Sequence, residues 1–171
     1  MTAAAEPLRT VAVVGAGPRG TAIIERLVAA SHSPDWRGGL TVHLIDPLVG
    51  RGGAVWRHDQ SAVLLMNTTT CQTTMYPDES CHALLPAPRT QTLADHLAGE
   101  GLAPTDFASR AAHGRYLAHV LETARRSAPA HRSSPTPPNV MGWSTSGPRT
   151  RSRWTTPLCW GGRPSRSRAW A

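Results

Sequence analysis

Six consecutive residues, Gly15-Ala16-Gly17-Pro18-Arg19-Gly20, place three glycines at the spacing of a phosphate-binding turn. Each glycine meets a different demand: Gly15 permits a tight turn, Gly17 lets a pyrophosphate approach the backbone, and Gly20 lets a helix pack closely on a strand. Asp46 lies 26 residues after Gly20, where a carboxylate can accept hydrogen bonds from an adenosine ribose. The usual interval is about 20 residues, and the loop SHSPDWRGG at 31–39 accounts for the excess. An acid here, followed by Pro47, disfavours a 2′-phosphate, so NADP does not fit this first site. Glycine spacing alone leaves FAD and NAD both open.

A second glycine cluster, Gly50, Gly52 and Gly53, follows directly on Asp46. It could approach the same cofactor, with Arg51 neutralising a phosphate, or it could be a flexible turn. The remaining candidates are weaker. Eight histidines form no HxxxH or HExxH pattern, and the expectation for each is a solvated or packed ring. Cys71, Cys81 and Cys159 have no zinc spacing and no CxxC pair, so no metal site is expected and free thiols fit a reducing cytoplasm. Asp78-Glu79 reads as a solvated pair. Arg110, Arg115 and Tyr116 could contact cofactor or substrate, or simply form a helix surface with a buried Tyr edge. No residue stands out as catalytic.

The elements that would position the glycine motif surround it. RTVAVVG at 9–15 is a short apolar run ending in glycine, as a buried parallel strand does. Residues 18–30 carry Ala22, Ile23, Leu27, Val28 and Ala30 at helical spacing, and Pro18 is tolerated at a helix start because its missing N–H would have no partner there. LTVHLID at 40–46 predicts a second strand. Strand, glycine turn, helix and strand predict an α/β fold opening on a Rossmann-like βαβ unit. Beyond the turn PLVGRGGAVW at 47–56, AVLLMN at 62–67 predicts a third extended segment and Gln91–Ala98 a short helix. A longer helix is expected over 105–126, with Thr105 as N-cap.

Charge divides the chain in two. The formal net charge is +7, yet residues 1–126 hold 11 Arg and all 11 acids, so the excess sits wholly in the last 45 residues. That stretch has seven Arg, seven Pro, four of the six Trp and no acid. A basic patch spread over a folded domain would suggest nucleic acid, but charge confined to a terminal stretch argues against that partner. Residues 127–171 lack apolar periodicity and are expected to stay disordered, either as a natural tail or as the product of a reading-frame change. The dinucleotide-binding domain is therefore assigned to 8–126. No apolar run approaches the roughly 20 residues of a bilayer span, and the N-terminus lacks the basic and apolar regions of a secretory signal. The expectation is a cytoplasmic protein with no membrane partner.

The stretches VAVVGAGPRGTAIIERL, LIDP and GAVWRHDQSAVLLMNTTTCQTTMYPD resemble the N-terminal part of bacterial FAD/NAD(P)-binding proteins, relatives of FAD-dependent urate hydroxylase and of L-aspartate N-monooxygenase, the nitrosuccinate synthase type. FASRAAHGRYLAHVL resembles the helical segment such proteins carry next, so the resemblance covers about residues 8–126. It implies a flavoprotein oxidoreductase of monooxygenase type. FAD would be bound at Gly15, Ala16, Gly17, Pro18, Arg19, Gly20, Asp46 and Gly53, with Trp56, Gln60, Met66 and Asn67 towards the isoalloxazine. A nicotinamide cofactor, NAD(P)H, would recharge the flavin, which would react with oxygen and hydroxylate an unidentified small molecule. Family members run to several hundred residues, so the domain is expected to be incomplete, lacking the nicotinamide and substrate regions. A catalytically inactive nucleotide-binding remnant is the alternative.

Overall fold

The computed structural model describes residues 9–85, 91–129 and 140–146. Strand β1 (Arg9–Val14) pairs in parallel with β2 (Gly39–Ile45), setting Val11 opposite Val42 and Val13 opposite Leu44. Helix α1 (Pro18–Ser31) makes the crossover between them. Leu40, Val42 and Leu44 are buried while the alternate residues of β2 are half-exposed, so the period of two seen in the sequence gives the sheet one core face. Ile24 and Val28 of α1 cover that face, and Leu121 and Ala124 complete the cluster from helix α3 (Arg110–Ser127). The expected α/β architecture with a parallel βαβ opening is therefore present.

A second cluster is built differently. Met66, Tyr76, Leu93, Leu97, Ala108, Ala112, Tyr116 and Val120 pack together, and most of the first half of this group comes from irregular chain. The Tyr116 hydroxyl lies at its centre, donating to the Gln91 carbonyl at 2.5 Å and accepting the Met75 N–H at 3.0 Å. Short helix α2 (Leu93–His96) starts on a capping box: the Thr92 hydroxyl accepts the Asp95 N–H at 3.1 Å, and the Asp95 carboxylate accepts the Thr92 N–H at 2.8 Å. This helix is shorter than the eight residues expected.

Three other expectations are corrected. Of the extended segment expected at 62–67, residues 62–63 form a turn and the rest makes one antiparallel bridge, Leu65 to Ser109, rather than a strand of the sheet. Val63 is 82% exposed, so the apolar run finds no sheet neighbour to bury it. The long helix begins at Arg110, because Ser109 caps it through the Ala112 N–H at 3.1 Å, while Thr105 lies in a turn where Asp106 accepts the Ala103 N–H. Finally, Val140–Ser146 forms β3, parallel to β2 with Gly39 opposite Val140 and Ile45 opposite Ser146, giving the order β1-β2-β3. Ladder pairing uses backbone groups, so it needs no side-chain alternation, and the absence of a pattern in VMGWSTS hid it. The rest of the expected tail, 130–139 and 147–171, lies outside the described residues. Among the described residues no helix is long and apolar enough to cross a membrane.

Candidate functional site

The β1–α1 turn opens into a cleft of about 480 Å³, within the size range of small-molecule sites. Val14, Gly15, Gly17, Pro18, Arg19, Gly20 and Trp56 line it. The three motif glycines divide their work as the geometry shows. Gly15 has φ +101°, a conformation that side chains with a Cβ rarely adopt. A Cβ on Gly20 would fall 1.8 Å from the Gly15 carbonyl oxygen, so only glycine lets α1 seat this close to the turn. A Cβ on Gly17 would meet nothing within 4 Å; the space it faces is open.

Helix α1 starts at this opening with Gly17 as N-cap, no side-chain cap and no acid in its first turn. The first N–H groups of a helix have no intrahelical partner and carry the positive end of its dipole. Among the described residues no side chain caps this end, so it can receive an anion, and Arg19 adds a cation at the cleft wall.

Asp46, just past the end of β2, braces the turn. One carboxylate oxygen accepts the Ala16 N–H at 2.7 Å and the other accepts the Leu48 N–H at 2.6 Å. Ala16 itself is buried. Gly53, from the second glycine cluster, lies directly against the first: a Cβ there would stand 3.0 Å from the nitrogen and Cα of Gly17. Arg51 reaches the Asp59 carboxylate rather than the cleft.

The residues expected towards a flavin separate. Trp56 reaches the cleft. Gln60 donates from Nε2 to the carbonyls of Val55 and Arg57 at 3.0 and 2.8 Å, closing the turn that carries Trp56. Met66 is buried in the second cluster and Asn67 is exposed; neither lines the cleft. Val14, which the sequence reading treated only as strand, lines it and is 81% exposed.

Helix α3 supplies the supports of Trp56: Arg110, already a candidate from the sequence, and His113, which was not. The Arg110 guanidinium stands over the Trp56 ring at 5.8 Å from the centroid. The His113 ring meets Trp56 edge-on, with centroids 4.7 Å apart and planes at 63°. His113 is 4% exposed, its Nδ1 has no hydrogen-bond partner among the described residues, and burial pushes its pKa down to about 4. The available signal was Gly114, an isolated glycine inside a helical run, which costs about 1 kcal/mol relative to Ala unless close packing requires it. Of the other residues singled out on this helix, Arg115 pairs with Glu100 at 2.8 Å and Tyr116 is fully buried, so neither faces the cleft. Asp78 accepts the Ser80 N–H at 2.9 Å, and Cys71 and Cys81 are exposed free thiols.

The profile of the family described as FAD-NAD(P)-binding matches residues 12–135, which extends past the boundary expected at 126. A nitrosuccinic acid synthase of Aspergillus oryzae is 43% identical over 124 residues, covering 70% of this chain and 19% of that protein. An L-aspartate N-monooxygenase (nitrosuccinate-forming) of Streptomyces davaonensis is 36% identical over 138 residues, covering 70% and 21%. One of the same name from Streptomyces cremeus is 31% identical over 144 residues, covering 71% and 22%. The chain thus spans about a fifth of the length of the curated relatives it matches.

Proposed function

The chain belongs to the FAD-NAD(P)-binding family, and on that premise we propose that it binds FAD in the β1–α1 cleft, as the dinucleotide-binding part of a flavin-dependent monooxygenase. The observation that carries this reading is the open start of α1 at Gly17, without a side-chain cap, facing the cleft. Gly15 and Gly17 let the phosphates reach backbone N–H groups, and Arg19 balances their charge. Asp46 holds the turn in shape. Each of its oxygens keeps a lone pair beyond the bond it already accepts, so a ribose hydroxyl can still be received there. Trp56 offers a flat apolar wall to the cofactor. The flavin, once bound, supplies the redox chemistry, with NAD(P)H as its reductant. The relatives named L-aspartate N-monooxygenase support N-oxygenation of a small amino acid as the reaction class.

The test is thermal melting of the full chain with FAD. A ligand that binds only the native state raises the melting temperature, by the equivalent of about 2.7 kcal/mol at 100 times its Kd. Gly17→Val is the informative variant. Because a Cβ at Gly17 meets nothing within 4 Å among the described residues, this variant is expected to stay folded without ligand, with a melting temperature lowered only by the poorer N-cap, and to lose the FAD-dependent rise. Wild-type protein that shows no rise with FAD, or shows one with NAD instead, overturns the assignment.

A further inference from the structure

Trp56 is the only residue lining the cleft, among those described, that comes from outside residues 14–20. Its place depends on a helix more than 50 positions away. The Trp56 carbonyl oxygen is pinched between two glycines: a Cβ on Gly52 would fall 2.2 Å from it and a Cβ on Gly114 would fall 1.8 Å from it. The ring is met edge-on by His113, while Arg110 stands over it. Arg110, His113 and Gly114 are spaced i, i+3 and i+4, the spacing of neighbours on one helix face. That face therefore matches both the backbone and the indole of one residue. The same loop reaches the other side of the site, where Gly53 abuts Gly17.

We propose that His113 and Gly114 are positioning residues for Trp56, fixing its indole as a wall of the dinucleotide cleft. Gly114 sets how far the Trp56 backbone stands from α3, and the His113 ring sets the tilt of the indole. Burial keeps the imidazole neutral, so it meets Trp56 as an aromatic edge rather than as a cation. The consequence for FAD rests on the function proposed above; the placement of Trp56 does not.

Two measurements separate these. In the first, the full chain is labelled with 5-fluorotryptophan, without ligand, and the Trp56 resonance is assigned by its loss in Trp56→Phe. His113→Ala and Gly114→Ala are expected to move that resonance, and His113→Phe, which restores an aromatic edge, to return it towards the wild-type position. A resonance unmoved in both His113→Ala and Gly114→Ala overturns the proposal, whether or not FAD binds. In the second, FAD affinity is read by titration of flavin fluorescence. An aromatic pair of this kind corresponds to about a two- to tenfold change in Kd. His113→Ala is expected to weaken binding by that factor and His113→Phe to recover it. If His113→Ala only lowers the melting temperature, leaving FAD affinity at the wild-type value, the residue is structural and the proposal fails. Wild-type protein that does not bind FAD instead sinks the function proposed above, and the fluorine measurement still decides the placement of Trp56.

Discussion

The two clusters of buried side chains are held by different means. Around the sheet, Val13, Ile24, Val28, Leu40, Val42 and Leu44 sit on regular elements whose backbone groups pair among themselves. Around Tyr116, much of the packing partner is irregular chain, and individual side chains must satisfy its backbone, as Tyr116 does for Met75 and Gln91. Thr70 does the same, donating to the Pro104 carbonyl at 2.9 Å while its own N–H reaches the Asp106 carbonyl at 3.0 Å. Stability in the first region is spread over many equivalent contacts. In the second it is concentrated in a few specific hydrogen bonds, each costly to lose because the abandoned group stays away from water. The glycine turn belongs to the first region, while its Trp56 wall packs against the second.

The largest effect expected of a single change tests the region of regular elements at its tightest point. Gly20→Ala drives a methyl group into the Gly15 carbonyl, an obstacle of backbone that cannot rotate away. The loss is expected to be about 3 kcal/mol or more in denaturant unfolding, against a gain of about 1 kcal/mol from helix propensity alone. A variant as stable as wild type would show that α1 can slide on β1, and the sheet region would no longer count as the rigid one.

Acid is expected to weaken the other side first. The unfolded chain protonates His113 near its ordinary value of 6.5, whereas burial holds the folded group neutral to about pH 4. Between those values the unfolded state binds more protons, so stability falls as pH is lowered from 6.5 to 4, by on the order of 3 kcal/mol in all. His96 adds to this in the same direction, its pKa lowered by burial and by the neighbouring His119. His113→Phe is expected to flatten the pH dependence of the melting temperature in this window. An unchanged profile would place the acid-labile groups elsewhere and erase this part of the contrast.

Tyr116→Phe sharpens the comparison at a smaller scale. It keeps the ring and removes one hydroxyl, leaving the Met75 N–H and the Gln91 carbonyl without that partner. About 2 kcal/mol is expected in urea unfolding. A near-zero change would mean that water reaches both groups and that the irregular chain does not depend on this hydroxyl.

The same contrast explains what the sequence made legible. Alternation in LTVHLID reports contacts made along one element, and the apolar run before Gly15 marks the position of β1 although, against the buried strand expected, only Val13 of it is buried; β1, α1 and β2 could thus be placed to within a residue or so. The cleft residues Gly15, Gly17, Pro18, Arg19 and Gly20 came with them, because the turn is contiguous in sequence. The region around Tyr116 offers no period to read. AVLLMN has the composition of a strand, yet its partner is a single position at the start of α3. His113 and Gly114 act on a loop more than 50 residues earlier, and the isolated Gly114 in a helical run is the only local mark beside that histidine. The sequence reading places the cap at Thr105 and the structure places it at Ser109, because turn hydrogen bonds around Asp106, which composition does not reveal, keep Thr105 out of the helix.

Helix α3 belongs to both clusters: Ala112, Tyr116 and Val120 face one, and Leu121 and Ala124 the other. Among the described residues each cluster alone holds fewer than a dozen buried apolar side chains, a small store of hydrophobic energy against the entropy of the chain it must order. A shared helix makes the two interdependent, since unravelling it to free either cluster strips a wall from the other. Melting of one therefore carries the other with it in a single cooperative step, although only one of them is built from regular secondary structure.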